Sequence, residues 1–276
     1  MGTFPLNEFD HLDYEVHVER YRRLLGADTE EAIPQADKRA QRDHSLVVFE
    51  KLRDAATSVI DFSQSLETEQ SQYYLRYGAG RRLLMMWRAY RNAVLTAYPE
   101  RTEPLSEDEQ TVMSREINVI YMHLRGTLDN FAWSIAFEKY PEMKLEPRTV
   151  ELFNTQIKPM LNSLGIYDEI YVFEDWNKEV AERRDPVAHR IPLYVPGTVL
   201  TATEVEFRAQ LHAEWIAVSG TLNATNYDAV QPRMEDLWKR MNNIGTFFPY
   251  FIHHPDRPLI PIYPTLPNDM ACLVKI

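Results

Sequence analysis

Apolar residues along this chain recur three and four positions apart, the period of helices that bury one face. Over 38–66, Phe49, Leu52, Ala56, Val59 and Phe62 form such a stripe. A second helix is expected to run from about Gln70 or Arg81 to Tyr98, where Pro99 ends it, with Leu84, Trp87, Val94 and Leu95 as its apolar contacts. Two glycines in "YGAG" weaken a continuous helix and leave its start open. The clearest start is Ser106 followed three residues later by Glu109, a capping box in which both side chains satisfy free backbone N–H groups. From there Val112, Ile117, Ile120, Leu124, Leu128, Phe131 and Ile135 carry one stripe as far as Tyr140 and Pro141.

A shorter helix is expected from Pro147 to Gly165, and another from about Asp168 through Tyr171, Phe173, Trp176 and Val180. After a Pro-rich connector, Thr201 and Glu204 form a second capping box, followed by Phe207, Leu211 and Trp215. A last helical segment covers about Tyr227 to Asn243, with Pro232 near its first turn. Beyond Gly245, repeated proline argues against regular helix, while Phe247, Phe248, Tyr250, Phe251 and Ile262 are too apolar for a free tail. The pattern therefore predicts an all-α helical bundle over 38–245, an N-terminal extension over 1–37, and an aromatic, Pro-rich extension over 246–276 wrapped on the bundle.

Composition narrows the function classes. The net charge is −11, from 41 acidic and 30 basic residues, which excludes a surface that grips nucleic acid everywhere and leaves only local basic patches. "GAGRRLLMMWRAYRN" is one such patch, with Arg81, Arg82, Arg88 and Arg91 and no acid, and a solvated helix face is its simplest reading. The single cysteine, Cys272, allows neither an internal disulfide nor a cysteine-based metal site, and a reducing cytoplasm is expected. No apolar run approaches the roughly 18 residues of a membrane span, and no secretory leader opens the chain. P-loop, dinucleotide-binding and nucleophile-elbow motifs are absent. His253, His254 and Asp256 are compact, but adjacent histidines diverge, so no metal site and no cofactor is expected. Tyr250 and Tyr263 suit core packing better than base stacking.

The stretch "EVAERRDPVAHRIPLYVPG" holds the densest candidate chemistry. Pro186 disfavours helical backbone at Asp185, while Asp185 followed by proline suits a new helix start, so one helix is expected to end at about Arg184 as another begins. His189 would then lie in the first turn of the new helix, near N–H groups that attract anions, with Arg184 just ahead and Arg183 and Arg190 flanking. That arrangement is a phosphate pocket containing an imidazole that accepts a proton near pH 7. The alternative is a turn whose arginines pair with Glu174, Glu179 or Glu182 while His189 is held in the core.

Arg184, Asp185 and His189 resemble the motif of the HEPN (higher eukaryotes and prokaryotes nucleotide-binding) superfamily of α-helical proteins, in which an Arg and a polar residue precede a His by a few positions. "MHLRGTLDNFAWSIAFE", with Arg125, Leu128, Asp129 and Trp133, is similar to a helix of uncharacterised bacterial proteins of this kind, although Arg125 and Asp129 also suit simple pairing on one helix face. The resemblance covers about Ser106 to Pro192. It implies metal-independent RNA cleavage by 2′-hydroxyl attack, giving a 2′,3′-cyclic phosphate, in a toxin or defence system. His189 and Arg184 would be catalytic, and Arg183, Asp185 and Arg190 supporting. It further implies a homodimer that brings two motifs together, RNA as substrate and a neutralising partner protein. The acidic composition and Pro192, which cuts the expected helix short, favour a noncatalytic dimeric scaffold or small-nucleotide binding module instead.

Overall fold

The computed structural model describes residues 10–25, 32–142, 146–189, 191–254 and 256–276. It is an all-α bundle built from α1 (Tyr14–Leu25), α2 (Ala32–Phe62), α3 (Glu69–Tyr73), α4 (Arg81–Thr96), α5 (Glu107–Lys139), α6 (Lys158–Leu164), α7 (Tyr167–Tyr171), α8 (Glu174–His189), α9 (Ala202–Ser219), α10 (Tyr227–Asn242) and α11 (Thr265–Lys275). The two-residue strands β1 (Tyr250–Phe251) and β2 (Ile260–Pro261) pair antiparallel near the C-terminus.

The spine is α5. Ser106 Oγ accepts the Glu109 N–H at 3.2 Å and Glu109 returns the contact to the Ser106 N–H at 2.9 Å, so the expected capping box is formed. Both guanidinium nitrogens of Arg101 donate to Glu109 at 2.8 Å, and this contact, helped by the Ser106 N–H, holds the Glu109 carboxyl below its usual range. Along the helix Ile117, Ile120, Tyr121, Leu124 and Leu128 are buried, in one core with Leu83 and Met86 of the adjoining α4 and Val48 and Leu52 of α2. Each such fully buried aliphatic side chain contributes roughly 1.5–3 kcal/mol.

Before α4 the chain does not break at the glycines. Tyr74–Gly80 forms a π-helical segment that joins α3 to α4. Its i→i+5 hydrogen bonds widen the turn and shift the helix phase. α4 buries Leu83, Met86, Ala89, Tyr90 and Ala93, whereas Leu84 and Leu95, expected as core contacts, are exposed. Gly78 permits the close approach to α5, since a Cβ there would lie 2.5 Å from Asn130 Oδ1.

Several boundaries differ from those expected. α2 begins at Ala32, so residues 32–37 belong to a bundle helix, and α1 packs beside it, while His44 Nε2 of α2 donates to the Leu12 carbonyl at 2.9 Å. Burial pushes the His44 imidazole down to about 4. The helix expected from Pro147 is a 3-10 turn at Pro147–Thr149 followed by α6, which ends at Gly165 in the left-handed conformation (φ 73°). The C-terminal extension contains a regular helix, α11. Pro267 is tolerated because it occupies the first turn, where the N–H would lack an intrahelical partner. The extension does wrap on the bundle, burying Phe247, Phe251, Ile262, Leu266 and Met270. α9 and α10 form a hairpin with its own small core of Leu211, Val218, Leu237 and Met241.

One buried carboxylate ties α11 to the spine. Asp269, 3% exposed, accepts the Tyr121 hydroxyl at 2.7 Å, the Trp176 indole at 3.0 Å and the Arg183 guanidinium at 2.9 Å on both oxygens. Burial pushes its carboxyl above the ordinary range, and the Arg183 charge and the donated hydrogen bonds oppose that push. Asp269→Ala strands three donors, one of them charged, in the core. It is expected to destabilise the fold by about 3–5 kcal/mol, read by urea unfolding, and a loss below about 1 kcal/mol would contradict the role given to this carboxylate.

Candidate functional site

The motif stretch is one helix and not a junction. α8 continues through Asp185 and Pro186 to His189. Proline removes a single backbone donor, and Pro186 and Val187 compensate by packing inward, Pro186 buried and Val187 against the main core. Asp185 is therefore an exposed residue within a helix instead of an N-cap, and the anion-attracting N–H groups expected beside His189 are replaced by the carbonyl-bearing end of α8. The backbone of His189 closes the helix, and Arg190 lies outside the described residues.

α8 carries polar residues on both sides of buried Val180. On one side, Trp176, Glu179 and Arg183 succeed each other at helical spacing. Arg183 donates to Glu179 at 2.9 Å and to Asp269, and its side chain is 13% exposed. Burial works against its charge, but Asp269, Tyr121 and Glu179 outweigh it and raise the guanidinium pKa. The supporting catalytic place expected for Arg183 is thus a structural one, as the pairing alternative foresaw for Glu179.

On the other side, Asn177 and Arg184 lie seven apart and face α5. Arg125 donates to Asn177 Oδ1 and pairs with Glu151 at 3.2 Å. Its side chain is 12% exposed, and this pairing replaces the Arg125–Asp129 contact that helical spacing suggested. Arg184 contacts Asp185 at 3.4 Å. Across from α8, Arg82 of α4 lies over Gly126, where a Cβ would collide with its guanidinium, and meets His123 Nδ1 at 3.2 Å. Gly126 is thus the gap that admits an arginine between α4 and α5.

The charges of Arg125, Arg184 and Arg82 act on Asp129 of α5. Its carboxyl is pushed up to about 6 by burial, while Arg125, Arg184 and Arg82 oppose the shift and Glu151 reinforces it. His123 is held below its usual range by burial and by the Arg82 charge. Three guanidiniums from three helices, one acid that carries a proton at mildly acidic pH and an imidazole thus share one region, which can hold an anionic oxygen and exchange a proton. Arg184, and Arg125 with Asp129, are singled out by the sequence, and Arg82 only as part of a basic helix face; His123, and the approach of Arg82 to this group, are not. Gly126, which interrupts an otherwise strong helix former, was the available signal for close approach by another element.

Elsewhere, two clefts of about 440 and 480 Å³ adjoin the α9–α10 hairpin and share Arg208, Trp238, Met241 and Asn242, remote in sequence from the arginine cluster. His254 Nδ1 lies 3.4 Å from Asp256, and among the described residues no three His, Cys, Asp or Glu side chains converge as a metal site. Tyr263 is buried, which removes it as a stacking surface. Burial pushes the Cys272 thiol up to about 12. Among the described residues no helix is long and apolar enough to cross a membrane.

No family model, curated protein or solved structure matches the chain.

Asp129 links this cluster to stability. Burial lifts its folded-state pKa to about 6, above the ordinary 3.8 of an aspartate, so the folded protein binds the extra proton and wild-type stability falls as pH rises through that window. Asp129→Asn is expected to match wild type near pH 4 and to exceed it at pH 8 by about 2 kcal/mol in urea unfolding. A difference that stays constant across this range would contradict the assignment.

Proposed function

We propose that the chain is a metal-independent endoribonuclease of HEPN type acting at the α8 motif, in keeping with a role in a toxin or defence system. The observation that carries this reading is that three guanidiniums from three helices, Arg184, Arg82 and Arg125, act on Asp129 of α5, a local group of cations in a chain of net charge −11. A phosphodiester placed there meets guanidinium donors matched to its oxygens.

In the proposed reaction His189 takes the ribose 2′-hydroxyl proton, the 2′ oxygen bonds to phosphorus and the bond from phosphorus to the 5′ oxygen breaks. That oxygen receives a proton as it leaves, so the products are a 2′,3′-cyclic phosphate and a 5′-hydroxyl. Arg184 stabilises the charge that develops on the phosphate oxygens. The second copy of the motif in a homodimer supplies the acid, so that one imidazole takes the 2′-hydroxyl proton while the other gives a proton to the leaving 5′ oxygen. A neutralising partner protein fits an enzyme of this kind.

The second reading is a noncatalytic helical module. It is favoured by the continuity of α8 through Pro186 and by the use of Arg183 as an internal strut.

The two separate in one assay. Purified wild type, His189→Ala and Arg184→Ala are incubated with end-labelled RNA in EDTA, and the product ends are identified. The nuclease reading expects cyclic-phosphate ends and rate losses of about 10²–10⁴-fold for His189→Ala and about 10²–10³-fold for Arg184→Ala. A folded wild type that leaves RNA intact supports the module.

A further inference from the structure

We infer that the exposed face running from Tyr73 along the π-helical segment and α4 to Arg91 is a binding track for single-stranded RNA. The inference rests on the nuclease reading in one respect, that the track leads toward Arg184, and is otherwise independent of it.

Charge is the first support. Between Gln70 and Pro99 the sequence has five arginines, Arg76, Arg81, Arg82, Arg88 and Arg91, and no acid, in a chain with an 11-unit excess of negative charge. Arg76, Arg81, Arg88 and Arg91 are exposed, and none forms an ion pair with a described residue. Acids at the two ends of this face are already engaged. Glu138 accepts the Glu67 and Thr68 N–H groups at 2.8 and 3.1 Å, and Glu116 accepts Asn92 at 3.1 Å and Arg115 at 2.5 Å. A polyanion on this face meets four exposed guanidiniums that are not held in ion pairs with described carboxylates.

Aromatic and apolar interleaving is the second support. Tyr73 is 62% exposed, Tyr77 43% and Met85 51%. Their rings and chains alternate with the arginines, and the Arg81 and Arg76 guanidiniums lie 4.7 and 5.7 Å from the Tyr77 ring centre. Tyr73 and Tyr77 adjoin each other at 5.4 Å between ring centres. The widened π turn keeps residues four apart nearly in line, so that Tyr73, Tyr77, Arg81 and Met85 follow one another along the surface. Two adjoining exposed π faces flanked by guanidiniums suit the bases and phosphates of a single strand, whereas a duplex hides its base faces.

Position is the third. Arg82, next in sequence to Arg81, turns inward over Gly126 to His123, into the cluster with Arg184 and Asp129. The track thus runs from exposed tyrosines to the place where the scissile phosphate is proposed to sit.

The test uses the full chain with His189→Ala, so that bound RNA stays intact, and measures fluorescence anisotropy of a labelled single-stranded oligouridylate of about 12 nucleotides. Adding Arg81→Glu with Arg88→Glu is expected to weaken binding by about 10-fold or more and to lower the slope of log affinity against log salt by about 2. Tyr77→Ala is expected to weaken it by about 5-fold or more. Arg81→Gln with Arg88→Gln serves if the charge-reversed pair does not fold. Unchanged RNA affinity in these variants would overturn the track, as would binding to phosphatidylserine vesicles with none to the oligonucleotide. Binding through this face without cleavage by wild type removes the nuclease reading and leaves the track standing.

Discussion

A single buried carboxylate, Asp269, fixes the arrangement on which everything else depends. Ionic and hydrogen-bonded contacts at this point join three elements far apart in sequence: Tyr121 in α5, Trp176 and Arg183 in α8, and Asp269 itself in α11. A charge taken out of water tolerates little misplacement, because any partner that moves away leaves a desolvated group behind. This makes Asp269 a register mark. It sets how far α8 is rotated about its own axis against α5, and therefore which of its side chains face the arginine cluster.

The rotation of α8 gives two adjacent arginines opposite tasks. Arg183 points to Asp269 and is used up holding the fold, while Arg184, one residue on, belongs to the group around Asp129. Apolar anchors on either side, Val180 among them, prevent the helix from exchanging the two. The proposed chemistry at Arg184 and the RNA track on α4 both draw on the same geometry, because α5 is the shared wall: Gly126 admits Arg82 from one side and Arg125 reaches Asn177 on the other.

Much of the bundle was legible in the sequence because its helices are strongly periodic and chemically punctuated. Ser106 with Glu109 and Thr201 with Glu204 announce their helix starts, and both capping boxes are formed. Misreadings arose where tertiary packing overrode a local rule. Asp-Pro was taken as a boundary, yet inward packing of Pro186 and Val187 carries α8 past it. Glycines in "YGAG" weaken a helix by local propensity, yet the lack of a side chain at Gly78 permits a π-helical passage beside Asn130. Of the candidate site, Arg184 was legible through its motif. Its companions lie on other helices, Arg82 on α4 and His123 and Asp129 on α5, so no spacing within α8 connects them to it.

The division of labour between Arg183 and Arg184 is the central claim, and the most direct measurement is a paired titration and melt of Arg183→Gln and Arg184→Gln. A single-stranded oligonucleotide whose 2′-deoxy sugar blocks cleavage is titrated into each protein, and thermal unfolding is recorded for both. The account predicts that Arg184→Gln loses about 10-fold in affinity while keeping the wild-type melting temperature, and that Arg183→Gln melts well below wild type. Equal affinity in wild type and Arg184→Gln, or an Arg183→Gln protein as stable as wild type, would contradict it.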